Sequence, residues 1–123
     1  MDKRVAVWFE IPVTDMDRAA AFYSELMGYE IKVEEMFGSK MGFFPMEDVP
    51  MSGALTYTED AKPGADGVLI YLNGGEDLSE MLARVEPAGG KVVVPKSKIS
   101  DDIGFYAIFI DTEGNKLALH SRK

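Results

Sequence analysis

The spacing of apolar residues changes its period twice in the first half of the chain. Residues 5–13, VAVWFEIPV, are almost all β-branched, aromatic or otherwise apolar, which predicts a largely buried strand. From Met16 to Leu26 the apolar residues return with helical spacing, and a preceding Thr14 or Asp15 and a following Gly28 suit the two ends of a helix. Three shorter apolar stretches then predict strands at about 29–36, 40–46 and 52–58.

The same order of elements begins again after residues 61–67, a stretch that contains proline and glycine. An offset of 62 residues places Gly28 on Gly90 and Phe43 on Phe105. In chain order, the second set of predicted elements is a strand at 67–72, a helix with its apolar stripe from Leu78 to Val85 that Asp77 caps and 88–90 ends, and strands at 91–95, 105–110 and 116–121.

This repeat predicts an α+β fold made of two βαβββ modules, at about residues 4–59 and 66–121. Each module is too small to bury its own sheet face, so the two must pack together. We therefore expect one domain over residues 1–123, in which the mixed sheets form a half-barrel around a concave groove.

Composition and charge restrict the partners that this domain can bind. With 13 basic and 21 acidic residues the net charge is −8, which repels nucleic acid and anionic membrane surfaces. The chain has no cysteine, and its first apolar run is interrupted at Glu10, before it reaches the length of a signal peptide or membrane span. We expect a cytoplasmic protein with neither nucleic acid nor membrane as a partner, and a cationic or neutral small ligand is compatible with the sign of the charge.

Two separated stretches resemble the signatures of a known superfamily. Residues 13–23, VTDMDRAAAFY, are similar to its strand-to-helix junction, and residues 109–115, FIDTEGN, are similar to its hairpin, with Thr112 in place of the usual proline. Together with the repeat, nearly the whole chain resembles the vicinal-oxygen-chelate superfamily, which includes glyoxalases, bleomycin resistance proteins and extradiol dioxygenases. The resemblance implies the half-barrel fold and a homodimer, but the superfamily contains both enzymes and drug-binding proteins.

The resemblance also implies four positions at which metal-dependent relatives hold a divalent ion. In this chain the first position falls on Trp8 and the last on Ala118, and neither side chain can ligate a cation. The other two positions lie within residues 52–57 and 67–72, which contain no His, Glu or Gln. We therefore expect no metal and no other cofactor.

Two polar residues follow the vacant positions at strand spacing. Glu10 lies two residues after Trp8 and His120 two after Ala118, so each should share a sheet face with that position. Either they are the charged and titratable groups of an aromatic pocket, or they rebuild a metal site, or Glu10 is a solvated strand end. The predicted ligand-binding residues are Trp8, Glu10, Phe43, Tyr57, Tyr71 and His120.

The sequence leaves three classes of function open. The leading hypothesis is a protein that binds a small molecule in an aromatic groove without a metal. The alternative is a divalent-metal lyase or isomerase resembling glyoxalase I, in which Glu10 and His120 coordinate the ion. A domain that has no ligand and serves only protein interaction is the third class.

Overall fold

A computed structural model describes residues 2–36, 38–49 and 52–123 of the chain. The order βαβββ occurs twice along it, which confirms the predicted α+β fold of two modules. In chain order the elements are β1 (Trp8–Pro12), α1 (Met16–Met27), β2 (Lys32–Met36), β3 (Ser39–Phe43), β4 (Ser52–Tyr57), β5 (Tyr71–Asn73), α2 (Ser79–Val85), β6 (Lys91–Ser100), β7 (Gly104–Ile110) and β8 (Lys116–Ser121). Within the described residues, no helix is both long and apolar enough to cross a bilayer.

The strands form two separate four-stranded sheets with the same topology. The N-terminal sheet has the order β1-β4-β3-β2 and the C-terminal sheet has the order β5-β8-β7-β6. In each sheet the first and last strands of the module run parallel, and the other pairs are antiparallel. The first and last strands of each module therefore lie side by side in the sheet.

Helix α1 begins and ends where its sequence predicts. The carboxylate of Asp15 accepts a hydrogen bond from the backbone N–H of Arg18, and Gly28 ends the helix in the left-handed conformation with φ of 82°. Phe22, Tyr23 and other apolar residues at helical spacing are buried. A glycine suits position 28 because a residue with a Cβ atom is strained at positive φ.

One hydrophobic core includes residues of both modules. Each sheet turns its inner face towards the helices: Ile11 and Leu55 lie on the inner face of the N-terminal sheet, and Leu119 lies on that of the C-terminal sheet. Phe22 of α1 packs against Phe109 of β7 with 6.0 Å between the ring centroids. Because successive side chains of a strand point to opposite faces, each sheet also has an outer face that is directed away from this core.

Several boundaries in the second module differ from the predicted ones. Strand β5 begins at Tyr71 rather than at residue 67, because Gly67 has a φ of 99° and Val68 is 90% exposed. Strand β6 continues past Pro95 to Ser100, which is possible because β6 is an edge strand and proline is tolerated there.

Helix α2 is also shorter at its start than its apolar stripe indicates. It begins at Ser79, and Leu78 occupies the cap position without a side-chain hydrogen bond. The carboxylate of Asp77, the predicted cap, still accepts the backbone N–H of Ser79 at 2.9 Å. Asp77 therefore satisfies one of the free N–H groups at the helix start, one residue earlier than a standard cap.

Candidate functional site

A buried carboxylate in the β7–β8 turn holds the first module against the second. One oxygen of Glu113 accepts the backbone N–H groups of Thr14 and Asp15, each at 2.9 Å, and the other accepts Nε of Arg18 at 2.8 Å. The Glu113 side chain is 0% exposed. Burial by itself would raise the pKa of Glu113, but the Arg18 guanidinium and the two N–H groups lower it to about 2.

A second buried carboxylate, Asp111, reinforces the same junction. It accepts hydrogen bonds from the Tyr23 hydroxyl at 2.7 Å, from the backbone N–H of Glu113 and from both the backbone and side-chain nitrogens of Asn115. Burial raises the pKa of Tyr23, and the charge of Asp111 raises it further, so this hydroxyl stays protonated and donates. Asn115 also donates from Nδ2 to the carbonyl of Pro12, which fixes the end of β1.

The outer face of the N-terminal sheet carries an aromatic cluster of Trp8 and Phe43. Their ring centroids lie 6.4 Å apart, and Trp8 is 39% exposed. Nε1 of Trp8 donates to Oε2 of Glu10 at 3.2 Å. The structure thus brings three of the predicted ligand-binding residues together, and the indole N–H of this cluster already has an acceptor.

The outer face of the C-terminal sheet contains a cleft of about 540 Å³. Its lining residues are Tyr71, Leu72, Asn73, Ile99, Ile103 and His120. Nε2 of His120 lies 2.7 Å from the carbonyl oxygen of Ile103, in the turn between β6 and β7. A carbonyl only accepts, so Nε2 carries the proton in this hydrogen bond. The structure therefore places two more predicted residues, Tyr71 and His120, in one concave, partly apolar site.

The sixth predicted residue, Tyr57, lies elsewhere. It lies two residues after Leu55 of the core along β4, so its side chain is on the same face as Leu55 and on the face opposite to Glu10. Tyr57 lines a cleft of about 330 Å³ at the start of α1, together with Lys40 and residues 14–17. Within one chain, Tyr57 therefore does not share a sheet face with Trp8 and Glu10.

Glu10 borders a third cleft, of about 240 Å³, between the two modules. This cleft runs from the end of β1 to the start of β8 and includes Pro12 and Lys116. It shares no lining residue with the His120 cleft. Glu10 and His120 are thus found in different clefts of the same chain.

The residues at the expected metal positions do not fit a divalent ion. The strand register pairs Trp8 with Ser52 and Tyr71 with Ala118, so the facing positions offer an indole, hydroxyls and a methyl group. Across residues 2–36, 38–49 and 52–123, no three His, Cys, Asp or Glu side chains are grouped as a metal site would require. His120, moreover, uses Nε2 as a donor to a carbonyl. This donor set does not match the ligands that divalent cations prefer.

Four lining residues of the His120 cleft were not predicted from the sequence: Leu72, Asn73, Ile99 and Ile103. Asn73 lies two residues after Tyr71 on the same strand, so strand periodicity alone could have identified it. Ile99 and Ile103 border the cleft because the β6–β7 turn folds back towards β8. That approach depends on the register shifts of β6 and has no local sequence signal.

Comparison with known sequences shows the relatives of this chain. The Glyoxalase/Bleomycin resistance protein/Dioxygenase superfamily matches residues 6–119. A glyoxylase-like domain-containing protein from Didymella fabae is 31% identical over 118 residues, which cover 92% of this chain and 90% of that protein.

Solved structures share the fold at low sequence identity. A glyoxalase/bleomycin resistance protein from Albidiferax ferrireducens superposes with a TM-score of 0.75 at 16% identity, covering 97% of this chain and 100% of that chain. TnmS3, an antibiotic binding protein from a Streptomyces species, superposes with a TM-score of 0.68 at 22% identity and covers 100% of both chains.

Proposed function

Because this chain belongs to the Glyoxalase/Bleomycin resistance protein/Dioxygenase superfamily, we propose that it binds a small organic molecule without a metal, in the cleft on the outer face of its C-terminal sheet. The observation that carries the proposal is the cleft itself, which has a volume of about 540 Å³. Apolar side chains line most of it, and a few polar groups converge on it, as is typical of small-molecule sites.

The apolar part of the cleft suits a flat, largely apolar ligand. Tyr71 is 53% exposed, and Ile99 and Ile103 each expose about half of their surface to solvent. A ligand that covers these side chains would remove apolar area from water, which contributes roughly 25 cal/mol for each Å² buried. The name of TnmS3 as an antibiotic binding protein agrees with an organic ligand of this kind.

We also propose that two copies of the chain pair, with the N-terminal sheet of one copy over the C-terminal sheet of the other. Trp8 and Phe43 would then form the opposite wall of the cleft. The outer faces differ in net charge in a way that favours this pairing. The outer face of the N-terminal sheet carries Glu10 and Glu34 against one basic residue, Lys32. The outer face of the C-terminal sheet carries Lys91 and Lys116. Opposite charges on two facing surfaces favour association.

Native mass spectrometry of the purified protein, together with metal analysis, tests the binding proposal. We expect a dimer that carries a small organic molecule and no stoichiometric metal. A metal ion that binds only the folded state would raise the midpoint of thermal unfolding. Because we propose that no metal binds, the midpoint with added nickel, zinc or manganese should equal the midpoint without them. A stoichiometric metal, or a metal-dependent rise that a Glu10→Gln exchange removes, would favour the lyase or isomerase alternative instead.

A further inference from the structure

We propose that the His120 cleft recognises a flat ligand with a hydrogen-bond donor and a hydrogen-bond acceptor side by side on one edge, as in a lactam or a primary amide. The inference rests on the proposed function, because it assigns a ligand class to the same cleft. The two groups that would read this edge are the imidazole of His120 and the side-chain amide of Asn73.

The first group is the second ring nitrogen of His120. Its partner nitrogen, Nε2, donates to the carbonyl of Ile103 at 2.7 Å, so a neutral imidazole has its proton there. Nδ1 is then an acceptor, and none of the described residues donates to it. A ligand that supplies an N–H or O–H group would satisfy this nitrogen.

The second group is the amide nitrogen of Asn73. The side-chain oxygen of Asn73 accepts the backbone N–H of Gly75 at 2.9 Å, which identifies the oxygen and leaves Nδ2 as the other end of the amide. Nδ2 has two hydrogens, and no acceptor for them is found among the described residues. A ligand carbonyl would satisfy this donor.

Strand pairing places the two residues side by side. Asn73 of β5 and His120 of β8 are direct partners in the parallel register, and both line the cleft. Neighbouring strands lie about 4.8 Å apart, so the backbone positions that carry the free donor and the free acceptor are adjacent on one face of the sheet. The backbone N–H of Gly74 donates to the carbonyl of His120 at 2.7 Å and fixes this pair in register.

Gly74 also explains why this edge of the sheet tolerates such a close approach. A Cβ atom at position 74 would lie 2.7 Å from the carbonyl oxygen of His120 and 2.7 Å from Cβ of Leu78. Only glycine fits there without displacing the backbone that carries His120. The glycine thus maintains the strand pairing that places Asn73 beside His120.

Two flat bicyclic probes of matched size test the inference. The lactam 2-quinolinone offers an N–H beside its carbonyl, whereas coumarin has a ring oxygen in place of the N–H. We expect 2-quinolinone to bind about tenfold more tightly, because coumarin leaves Nδ1 of His120 buried without a donor. Titrations followed by backbone amide NMR would measure both dissociation constants and locate the site.

The imidazole gives a direct second readout, because the chain contains one histidine. The ¹⁵N signal of Nδ1 should move when 2-quinolinone binds and stay nearly unchanged with coumarin. A His120→Phe exchange should remove the preference between the probes while coumarin affinity stays within about threefold. His120→Gln, which restores a side-chain acceptor, should recover part of the preference, and the thermal midpoint of each variant would show that it folds.

Asn73→Asp should weaken both probes, since a carboxylate faces their shared carbonyl, and Glu80→Gln on the exposed face of α2 serves as the matched control. Equal affinities of the two probes, with signals that move around Tyr71 and His120, would overturn the donor–acceptor inference and leave the proposed function standing. Signals that move only outside the cleft, or no binding of either probe, would overturn both.

Discussion

The outer faces of the two sheets have the same topology but differ in how their polar groups are satisfied. On the N-terminal sheet, the indole N–H of Trp8 donates to Glu10, so the cluster supplies its own acceptor. On the C-terminal sheet, His120 bonds a backbone carbonyl through one nitrogen only, and its other nitrogen and the amide nitrogen of Asn73 have no partner among the described residues. A duplicated module has thus produced two chemically different surfaces.

Under the proposed function, the N-terminal sheet would be an apolar wall and the C-terminal sheet would recognise the ligand. Aromatic side chains give affinity for many flat ligands, because any π face or apolar ring can pack on them. Specificity requires polar groups that lose a hydrogen bond when the wrong ligand binds. Under the proposed function, the C-terminal sheet would select the ligand, and Trp8 and Phe43 would contribute contact area without selection.

The largest expected effect comes from breaking the junction that holds the two sheets in one structure. Asp111→Ala removes the acceptor of the buried Tyr23 hydroxyl and of both nitrogens of Asn115. We expect the free energy of unfolding to fall by about 3 kcal/mol, since buried donors without partners each cost 1–3 kcal/mol. Urea denaturation would measure the loss, and both outer faces should unfold in one transition.

Asp60→Ala is the matched control, because Asp60 is exposed in the loop after β4. Its effect should stay within about 0.5 kcal/mol. Two separate transitions in the Asp111 variant, one for each sheet, would show that the modules fold independently and would weaken the comparison of their faces.

Acid should weaken the same junction through Glu113. Its pKa in the folded protein is about 2, below the ordinary value of 4.5, so its contribution to stability is complete above pH 4.5 and is lost as the pH falls towards 2. Glu113→Gln should lower the stability at neutral pH by about 2 kcal/mol, because it removes a charged hydrogen bond to Arg18. Thermal unfolding between pH 5 and pH 2 should then show a flatter pH dependence for the variant than for the wild type, and an unchanged slope would contradict this role of Glu113.

The fold was predictable because its signals are local and repeated. Helix α1 has a capping aspartate, a terminal glycine and an apolar stripe, and each of these agrees with the others. The strand β8 was predicted at its observed bounds because a hairpin turn precedes it and its residues are apolar. The start of β5 was wrong because exposed residues such as Val68 are apolar without being part of the sheet.

The candidate site was only partly predictable, because it depends on which face of a strand is covered. His120 was identified from its spacing along the last strand and Tyr71 because it is aromatic, and the structure places both in one cleft. Tyr57 was grouped with them because it is aromatic, but its parity in β4 puts it on the opposite face from Glu10. The role of Ile103 requires a contact with His120 that no local pattern encodes.

Trp8 gives the next test, which addresses the apolar wall. If the second copy places Trp8 over the cleft, Trp8→Leu should weaken 2-quinolinone and coumarin alike, by about tenfold, because it removes stacking area and no selective hydrogen bond. Calorimetry of both probes would measure the change. The ratio of the two affinities should remain that of the wild type, and a changed ratio would mean that the N-terminal sheet also selects.

The fluorescence of the same residue provides the control, because the chain has one tryptophan. Its emission should change when either probe binds to the dimer. No change on binding, with a dimer still present by light scattering, would place the ligand away from Trp8 and assign the whole site to the C-terminal sheet.

The smallest effect is expected at Glu10, and it decides whether the N-terminal sheet has a polar role. Glu10 is exposed, and Glu10→Gln keeps an oxygen that can accept the indole N–H of Trp8. Both the free energy of unfolding and the affinity for the two probes should therefore stay within about 0.5 kcal/mol of the wild type. Glu10→Ala, which removes the acceptor, should expose the indole N–H to water at little additional cost. A loss of tenfold or more in probe affinity with Glu10→Gln would show that the carboxylate itself contacts the ligand, and the two outer faces would then share recognition.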